Sequence, residues 1–311
     1  MIAAGIDLGG TKIEAQIFDG NWGQHAHRRI DTPKDYAGLV AAMADQIAWI
    51  TAQSTHDLPI GISAAGLINP DTGLALTANL PASGHPFPVD IQAASGHLVT
   101  YINDCRAFVL SEATFGAAIG ASPALGLILG TGLAGGVVMG GHLVTGHARV
   151  GGEFGHFPAA AGPVFTHGLP VVACGCGRLG CTETLLAGPG LSRIAAHVTG
   201  RTLSAEEITN ARKTDPDLAR VWAIWLDLAA ELLVTLCFTI DPQVIVLGGG
   251  LSKAPGLIED LTAALRRAVF AGFRIPDLRL AQGGDASGAR GAAFAAWQER
   301  HASVPSASGG F

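Results

Sequence analysis

Apolar and polar side chains alternate after a pair of glycines near the start of the chain. From Lys12 to Phe18, isoleucine and alanine alternate with charged or amide residues, which predicts a half-buried strand. A short apolar segment precedes Gly9-Gly10, so the two glycines are expected to form a tight turn between two strands. The same arrangement returns at Gly130-Thr131-Gly132. This weak repeat predicts two lobes that each begin with a strand, a glycine turn and a second strand.

Helical spacing of apolar residues appears in two further segments. Apolar residues recur at helical intervals between Leu39 and Ile50, and Thr32-Pro33 suggests an N-cap followed by proline at the first helical position. A longer helix is predicted from Leu218 to about Phe238. The apolar run that ends at Gly248-Gly249-Gly250 then predicts a strand, a glycine turn and another helix.

Composition excludes several classes of protein. Hydrophobic residues make up 49% of the 311 residues, which excludes a disordered chain. The net charge of −6 argues against binding to nucleic acid. The uncharged run between Glu112 and Arg149 is long enough to span a membrane, but its glycines give it poor helix propensity, so we expect strands and turns in a soluble protein. Glycine, with 43 residues, has about twice its average share, which indicates many turns or close approaches of backbone to a ligand.

The two Gly/Thr turns are candidate phosphate sites. Backbone N–H groups in a glycine turn can bind phosphate oxygens, and a threonine adds a hydroxyl donor. Asp7, just before the first turn, is a candidate ligand for Mg²⁺ or for its water shell. The alternatives are two ordinary hairpins and an aspartate that only caps its turn.

Three of the five cysteines lie close together, at Cys174, Cys176 and Cys181. With an upstream histidine they supply the four ligands of a closed, structural zinc site in a reducing compartment. Spacing does not decide between His156 and His167, and three free thiols are the alternative.

Asn103-Asp104 stands between a predicted strand and a predicted helix. An aspartate at such a junction can act as a general base toward a hydroxyl, although it can also serve only as an N-cap.

Together these motifs resemble those of the ROK family (repressors, open reading frames and sugar kinases), from Gly5 to about Ala296. Its most specific signature matches Glu153-x-Gly-His156 followed by Cys174-x-Cys176-Gly-x-x-Gly-Cys181-x-Glu183. The resemblance implies an α/β protein with the two-lobed actin/hexokinase-type ATPase fold, in which ribonuclease H-like lobes are duplicated around a central cleft. The implied domains are residues 1–118 with 288–311, and residues 119–287.

The resemblance also implies residue roles, with Asp104 as the catalytic base. The residues implied to bind the sugar are Gly66, Asn79, Asn103, Asp104, Glu153, His156 and Glu183. The residues implied to bind ATP and Mg²⁺ are Asp7, Gly9, Gly10, Thr11, Lys12, Gly130, Thr131, Gly132, Gly249 and Gly250. The residues implied to hold structural zinc are His156, Cys174, Cys176 and Cys181.

Within the family, residues 78–84 and 153–156 are most similar to bacterial N-acetyl-D-glucosamine kinases, which implies ATP-dependent phosphorylation of that sugar at its 6-hydroxyl. Glucose, fructose, mannose and N-acetylmannosamine stay open as substrates. A cytoplasmic homodimer without nucleic-acid or membrane partners is implied; a sugar-responsive repressor or a silent sugar sensor is the remote alternative. The chain departs from the family pattern at Ala65 and at Cys105-Arg106, where the family has proline and Ala-Asn.

Overall fold

The protein divides into two units in a computed structural model that describes residues 1–284 and 287–302. Unit 1 comprises Met1–Ser111, Thr145–Val150 and the described chain from Gly283 onward. Unit 2 comprises Glu112–Val144 and Gly151–Gln282. The division predicted from sequence stays a prediction, and it differs from these units over residues 112–118, 145–150 and 283–287. Residues 303–311, included in that prediction, lie outside the described residues.

The boundary between the two units falls within the helix Asp104–Phe115, where Glu112 is the first residue of unit 2. The carboxylate of Glu112 accepts hydrogen bonds from the backbone N–H groups of Ala117, at 2.8 Å, and Gln282, at 3.1 Å. These bonds join the end of the helix to the last residue of unit 2.

Unit 1 is built on a five-stranded sheet with the strand order β3-β2-β1-β4-β7. Strands β1 to β3 form an antiparallel meander, and β4 and β7 continue the sheet in parallel to β1. Its strands are β1 (Ala3–Leu8), β2 (Lys12–Phe18), β3 (Gln24–Asp31), β4 (Ile60–Ala64), β5 (Leu67–Ile68), β6 (Ala75–Leu76) and β7 (Thr100–Asn103). Its helices are α1 (Tyr36–Ala52), α2 (Phe87–Ser95) and the last helix of the described chain, α10 (Ser287–His301). Helix α3 (Asp104–Phe115) belongs to unit 1 up to Ser111.

Strand β2 is buried on both faces, so the prediction of a half-buried strand is wrong. Glu14 and Gln16, on its polar face, are each only 4% exposed. Gln16 pairs with Gly5 of β1, and a Cβ atom at Gly5 would lie 1.8 Å from the carbonyl oxygen of Ala289 in α10. Helix α10 therefore packs directly on this face, at a glycine that allows the close approach.

Helix α1 begins three residues later than the sequence suggested. Its N-cap is Asp35, whose Oδ1 accepts from the backbone N–H of Gly38 at 2.8 Å. Thr32 has a different role, because its hydroxyl donates to the carbonyl oxygen of Gly9 at 2.7 Å. The prediction of Thr32 as the N-cap is wrong, because its hydroxyl bonds to Gly9, a residue distant in sequence that a local pattern does not include.

Unit 2 contains a second sheet with the corresponding strand order, β10-β9-β8-β11-β12. Here too, antiparallel strands lead into parallel ones, which confirms the predicted duplication. Its strands are β8 (Ala124–Leu129), β9 (Leu133–Met139), β10 (His142–Leu143), β11 (Val244–Gly248) and β12 (Asp277–Leu280). Its helices are α4 (Ala161–Thr166), α5 (Glu183–Leu186), α6 (Gly188–Thr199), α7 (Ala205–Ala211), α8 (Pro216–Ile240) and α9 (Leu257–Ala268), with 3₁₀ turns at Phe154–His156 and Gly250–Lys253.

Helix α8 is long and apolar enough by length and composition to cross a membrane. It contributes much of the unit 2 core, including the fully buried Trp225, whose indole N–H donates to the carbonyl oxygen of Leu186 at 3.1 Å. Burial within a protein core accounts for its apolar composition.

Candidate active site and metal cluster

The first glycine turn, at Gly9-Gly10, lies in unit 1 and closes the hairpin of β1 and β2. The backbone N–H of Gly9 donates to the carbonyl oxygen of Lys12 at 3.0 Å. Lys34 donates from Nζ to the carbonyl oxygen of Gly10 at 3.0 Å. Together with the Thr32 hydroxyl, these bonds hold the turn from outside, using partners that the sequence pattern did not reveal.

Asp7 lies near the end of β1, where β4 runs alongside it and Ser63 is its register partner. Burial raises the pKa of Asp7 to about 6; the neighbouring Ser63 side chain opposes this rise, and the carboxyl groups of Asp104 and Glu14 add to it. Helix α10 also lies close, because a Cβ atom at Gly288 would be 2.5 Å from Oδ1 of Asp7. The result is a crowded carboxyl group whose ionised form a nearby cation would favour.

Asp104 is the first residue of α3, directly after β7. The backbone N–H of Cys105 donates to two side chains, to Oδ1 of Asp104 at 2.9 Å and to Oδ1 of Asn103 at 3.0 Å. Asn103 also donates from Nδ2 to the carbonyl oxygen of Gly66 at 3.1 Å. Burial raises the pKa of Asp104, although hydrogen bonds from Cys105 oppose the rise. Its carboxyl group thus has the properties of a base stronger than an ordinary aspartate.

The other two predicted sugar contacts in unit 1 are Gly66, which lies beside Asn103, and Asn79, which lies beside the first glycine turn. Gly66 has φ of +106°, and a Cβ atom there would be 2.4 Å from the carbonyl oxygen of Leu76, so the position excludes a side chain. Asn79 approaches the first glycine turn, since a Cβ atom at Gly10 would lie 3.3 Å from the Asn79 carbonyl oxygen.

The second glycine turn, Gly130-Thr131-Gly132, lies in unit 2 and joins β8 to β9. Gly130 donates its backbone N–H to the carbonyl oxygen of Gly132 at 3.0 Å, and its own carbonyl oxygen accepts from Gly188, where α6 begins, at 2.8 Å. The third glycine loop lies beside it, because a Cβ atom at Gly249 would be 2.5 Å from the carbonyl oxygen of Leu129. Parallel pairing of β8 with β11 brings these two loops together.

Four side chains of unit 2 form a compact group suited to a metal ion. One ligand atom each from His156, Cys174, Cys176 and Cys181 lies within 4.8 Å of the others. Sγ of Cys174 is 3.7 Å from Nδ1 of His156, and the sulfurs of Cys176 and Cys181 are 3.6 Å apart. With Zn–S bonds of about 2.3 Å, the ligands of a tetrahedral site are about 3.8 Å apart, so these distances fit zinc.

The structure also separates the two candidate histidines. Nε2 of His167 lies 3.0 Å from a carboxylate oxygen of Asp227 on α8, and His167 is outside the cysteine group. His156 alone of the two joins the cysteines.

Glu183 connects the cysteine group to the second glycine turn. The Cys174 thiol donates to its Oε1 at 2.9 Å, and its Oε2 accepts from the backbone N–H of Leu133 at 3.4 Å. On the other side of the His156 ring, Nε2 lies 3.9 Å from Oε2 of Glu153. Burial raises the pKa of the Cys174 thiol to about 12. The sequence pattern did not predict the contact of Glu183 with Cys174, although only nine positions separate the two residues.

The residues predicted to bind sugar are divided between the two units. Gly66, Asn79, Asn103 and Asp104 belong to unit 1, and Glu153, His156 and Glu183 belong to unit 2. The predicted nucleotide residues are divided likewise: residues 7 and 9–12 belong to unit 1, and residues 130–132 with 249–250 belong to unit 2.

Comparisons with known proteins agree with this architecture. The family described as the ROK family matches residues 3–299. The N-acetylgalactosamine kinase AgaK of Shewanella sp. (strain ANA-3) is 38% identical over 93% of this chain and 95% of that protein. An N-acetyl-D-glucosamine kinase of Yersinia enterocolitica is 36% identical over 93% of this chain and 97% of that protein.

Solved structures show the same fold. The ROK hexokinase of Thermus thermophilus superposes with a TM-score of 0.86, at 34% identity, covering 97% of this chain and all of that one. A ROK family glucokinase of Streptomyces griseus, in complex with glucose and AMPPNP, superposes with a TM-score of 0.74 at 27% identity, covering 94% of this chain and 98% of that one. The α/β fold of actin/hexokinase type that the motifs implied is confirmed.

Proposed function

The chain belongs to the ROK family, and from this premise we propose that it is an ATP-dependent sugar kinase acting on the 6-hydroxyl of an N-acetylhexosamine. The observation that carries the proposal is Asp104, a carboxyl group of raised pKa at the junction of β7 and α3. Asn103 supports the placement of this carboxyl group, because its Oδ1 accepts from the Cys105 N–H that also donates to Oδ1 of Asp104.

Asp104 accepts the proton of the sugar hydroxyl as that oxygen attacks the γ-phosphorus in line with the leaving oxygen. Backbone N–H groups of the turns at Gly9-Gly10 and Gly130-Thr131-Gly132 bind phosphate oxygens. Asp7 is suited to hold Mg²⁺ or its water shell, and bound Mg²⁺ neutralises charge on the phosphates. The raised pKa of Asp7 supports this role, since a cation nearby favours the ionised carboxylate.

N-acetyl-D-glucosamine is the substrate we propose. The two kinases most relevant here act, by their names, on N-acetylgalactosamine and N-acetyl-D-glucosamine, which share the 2-acetamido group and differ in the configuration at C4. A panel that also contains glucose, mannose, fructose and N-acetylmannosamine tests the choice. We expect the highest kcat/KM for N-acetyl-D-glucosamine; a higher value for any other sugar, N-acetylgalactosamine included, would refute the choice.

We further propose that His156, Cys174, Cys176 and Cys181 hold a structural zinc ion. The donor set and the interatomic distances support this, because three thiolates and one imidazole complete a closed tetrahedral shell. His156 would hold zinc through Nδ1, which lies on the side of Cys174, and its Nε2, on the side of Glu153, would then be oriented toward a sugar hydroxyl. A homodimer and a cytoplasmic location are also proposed from the family, and light scattering of the purified protein tests the first.

Replacement of the base tests the reaction. The Asp104→Ala variant is expected to keep sugar binding, measured by calorimetry, and to lose turnover by a factor of about a hundred or more in an assay of ADP release. Asp45→Asn, on an exposed face of α1, is the matched control and is expected to retain full turnover. Near wild-type phosphorylation by Asp104→Ala would exclude Asp104 as the base.

A further inference from the structure

Arg106 is a buried cation two residues after Asp104, in the first turn of α3. The residue is only 6% exposed. A buried guanidinium must have hydrogen-bond partners, because removing a charge from water is costly.

One of its partners is a backbone carbonyl far along the chain. Nη2 of Arg106 donates to the carbonyl oxygen of Arg149 at 2.5 Å. Arg149 itself has φ of +54°, in the left-handed region that a residue with a side chain rarely adopts. A charged donor on this carbonyl is well placed to hold the strained backbone in that conformation.

The segment that contains Arg149 has few other means of being held. Thr145–Val150 forms neither helix nor strand, and all six residues are exposed. It nevertheless belongs to unit 1, although the chain on both sides belongs to unit 2. Glu153, one of the proposed sugar contacts, follows Val150 by three residues.

We infer that Arg106 is a positioning residue for sugar binding: its bond to the Arg149 carbonyl ties Thr145–Val150 to the helix that begins with Asp104. The chain therefore starts toward Glu153 from a point that is fixed relative to the catalytic base. This inference rests on the proposed function. It assigns to Arg106 neither proton transfer nor contact with the sugar.

Limited trypsin digestion tests the bond without any measurement of activity. Trypsin cleaves after arginine, and the carbonyl that Arg106 holds is the one in the Arg149–Val150 bond. In Arg106→Asn we expect cleavage at this bond to be about tenfold to a hundredfold faster than in the wild type, because a hydrogen bond from a charged donor is lost. Cleavage after Arg274, in another exposed loop, serves as the internal control and is expected to stay unchanged. Equal cleavage at Arg149 in both proteins, or equal acceleration at both bonds, would overturn the inference.

Kinetics then test the role in sugar binding. In Arg106→Asn we expect KM for N-acetyl-D-glucosamine to rise about tenfold while KM for ATP changes less than about twofold. Arg106→Lys keeps the cation and one donor, so it should restore much of the slow cleavage and of the low KM. If Arg106→Asn does not fold, Arg106→Gln, which removes the charge but keeps more of the side-chain volume, takes its place, and wild-type cleavage at Arg149 or an equal rise of both KM values in that variant refutes the inference.

Arg212 provides the matched control for loss of a buried guanidinium. It is 4% exposed and donates to the backbone carbonyls of Thr209 and Pro255 in unit 2. Arg212→Gln is expected to lower the melting temperature without changing cleavage at Arg149 or the ratio of the two KM values; a change in that ratio equal to that of Arg106→Asn contradicts a specific role for Arg106. A wild-type protein that phosphorylates no sugar refutes the proposed function alone, because the digestion still reports on the bond.

Discussion

Replacing Asp7 by asparagine is expected to make the protein more stable at neutral pH and less active. Asparagine has nearly the same shape as aspartate and cannot ionise. The wild-type carboxyl group ionises in a buried position next to Asp104 and Glu14, which is unfavourable for folding. We expect the buried carboxylate to be retained despite its unfavourable effect on folding, because the proposed role as a ligand for Mg²⁺ requires a carboxylate.

The size of the effect follows from the pKa shift. The pKa of Asp7 rises from 3.8 to about 6 on folding. Each pKa unit corresponds to about 1.4 kcal/mol, so ionised Asp7 lowers the free energy of unfolding by up to about 3 kcal/mol. The native state binds the proton more tightly than the unfolded state does. The wild type therefore loses stability as the pH rises from about 4 to about 6, and the full penalty is present above pH 6.

Urea denaturation at several pH values, without nucleotide or metal added, measures this difference. The gain of Asp7→Asn over the wild type should be near zero at pH 4 and should approach its maximum at pH 7.5. Asp45→Asn, whose carboxylate is largely exposed, should show no such gain. A gain that is equal at both pH values, or a variant less stable than the wild type at pH 7.5, would refute the argument from burial.

Three further predictions concern the base, the metal and the packing of α10. The wild-type kcat/KM should fall with decreasing pH through a midpoint above the ordinary aspartate value of 3.8, because the pKa values of Asp7, at about 6, and Asp104 are both raised; a pH–rate profile shows this. Metal analysis of fresh protein should find about one zinc ion per chain, and Cys176→Ser should lose the metal and melt at a lower temperature. Gly5→Ala should destabilise the protein by about 3 kcal/mol or more, measured by urea denaturation, because its Cβ would lie 1.8 Å from the carbonyl oxygen of Ala289.

These last three predictions have their own controls. A midpoint near 3.8 contradicts the raised pKa values, and a zinc-free wild type contradicts the metal site. Cys237→Ser, which changes a thiol outside the cysteine group, should keep the metal. Gly20→Ala should be nearly neutral, since a Cβ atom there meets no atom within 4 Å, and an equal loss of stability in both glycine variants contradicts the packing argument.

Local chemistry explains why much of the site was predictable. A glycine turn between two apolar strands, or thiols at Cys174, Cys176 and Cys181, is encoded within a few residues, so both could be recognised without the fold. The strand–turn–strand repeat predicted two similar lobes for the same reason, and the two sheets share one strand order. Spacing alone could not choose between His156 and His167, because the loop that brings the histidine to the cysteines is formed by tertiary contacts.

The amino-acid sequence by itself determined the family, the fold and the kinds of chemical group at the site, because these depend on short motifs and on the period of apolar residues. Tertiary structure alone decided which polar groups are buried and what they contact. Gln16 appears exposed in the alternating pattern of β2 and is buried on the face where α10, formed at the far end of the chain, packs against its register partner Gly5. The bond from Arg106 to Arg149 likewise joins segments 43 residues apart. Such contacts cannot be predicted from a local pattern, because the period of apolar residues indicates the type and buried face of one element and does not identify the element that packs against it.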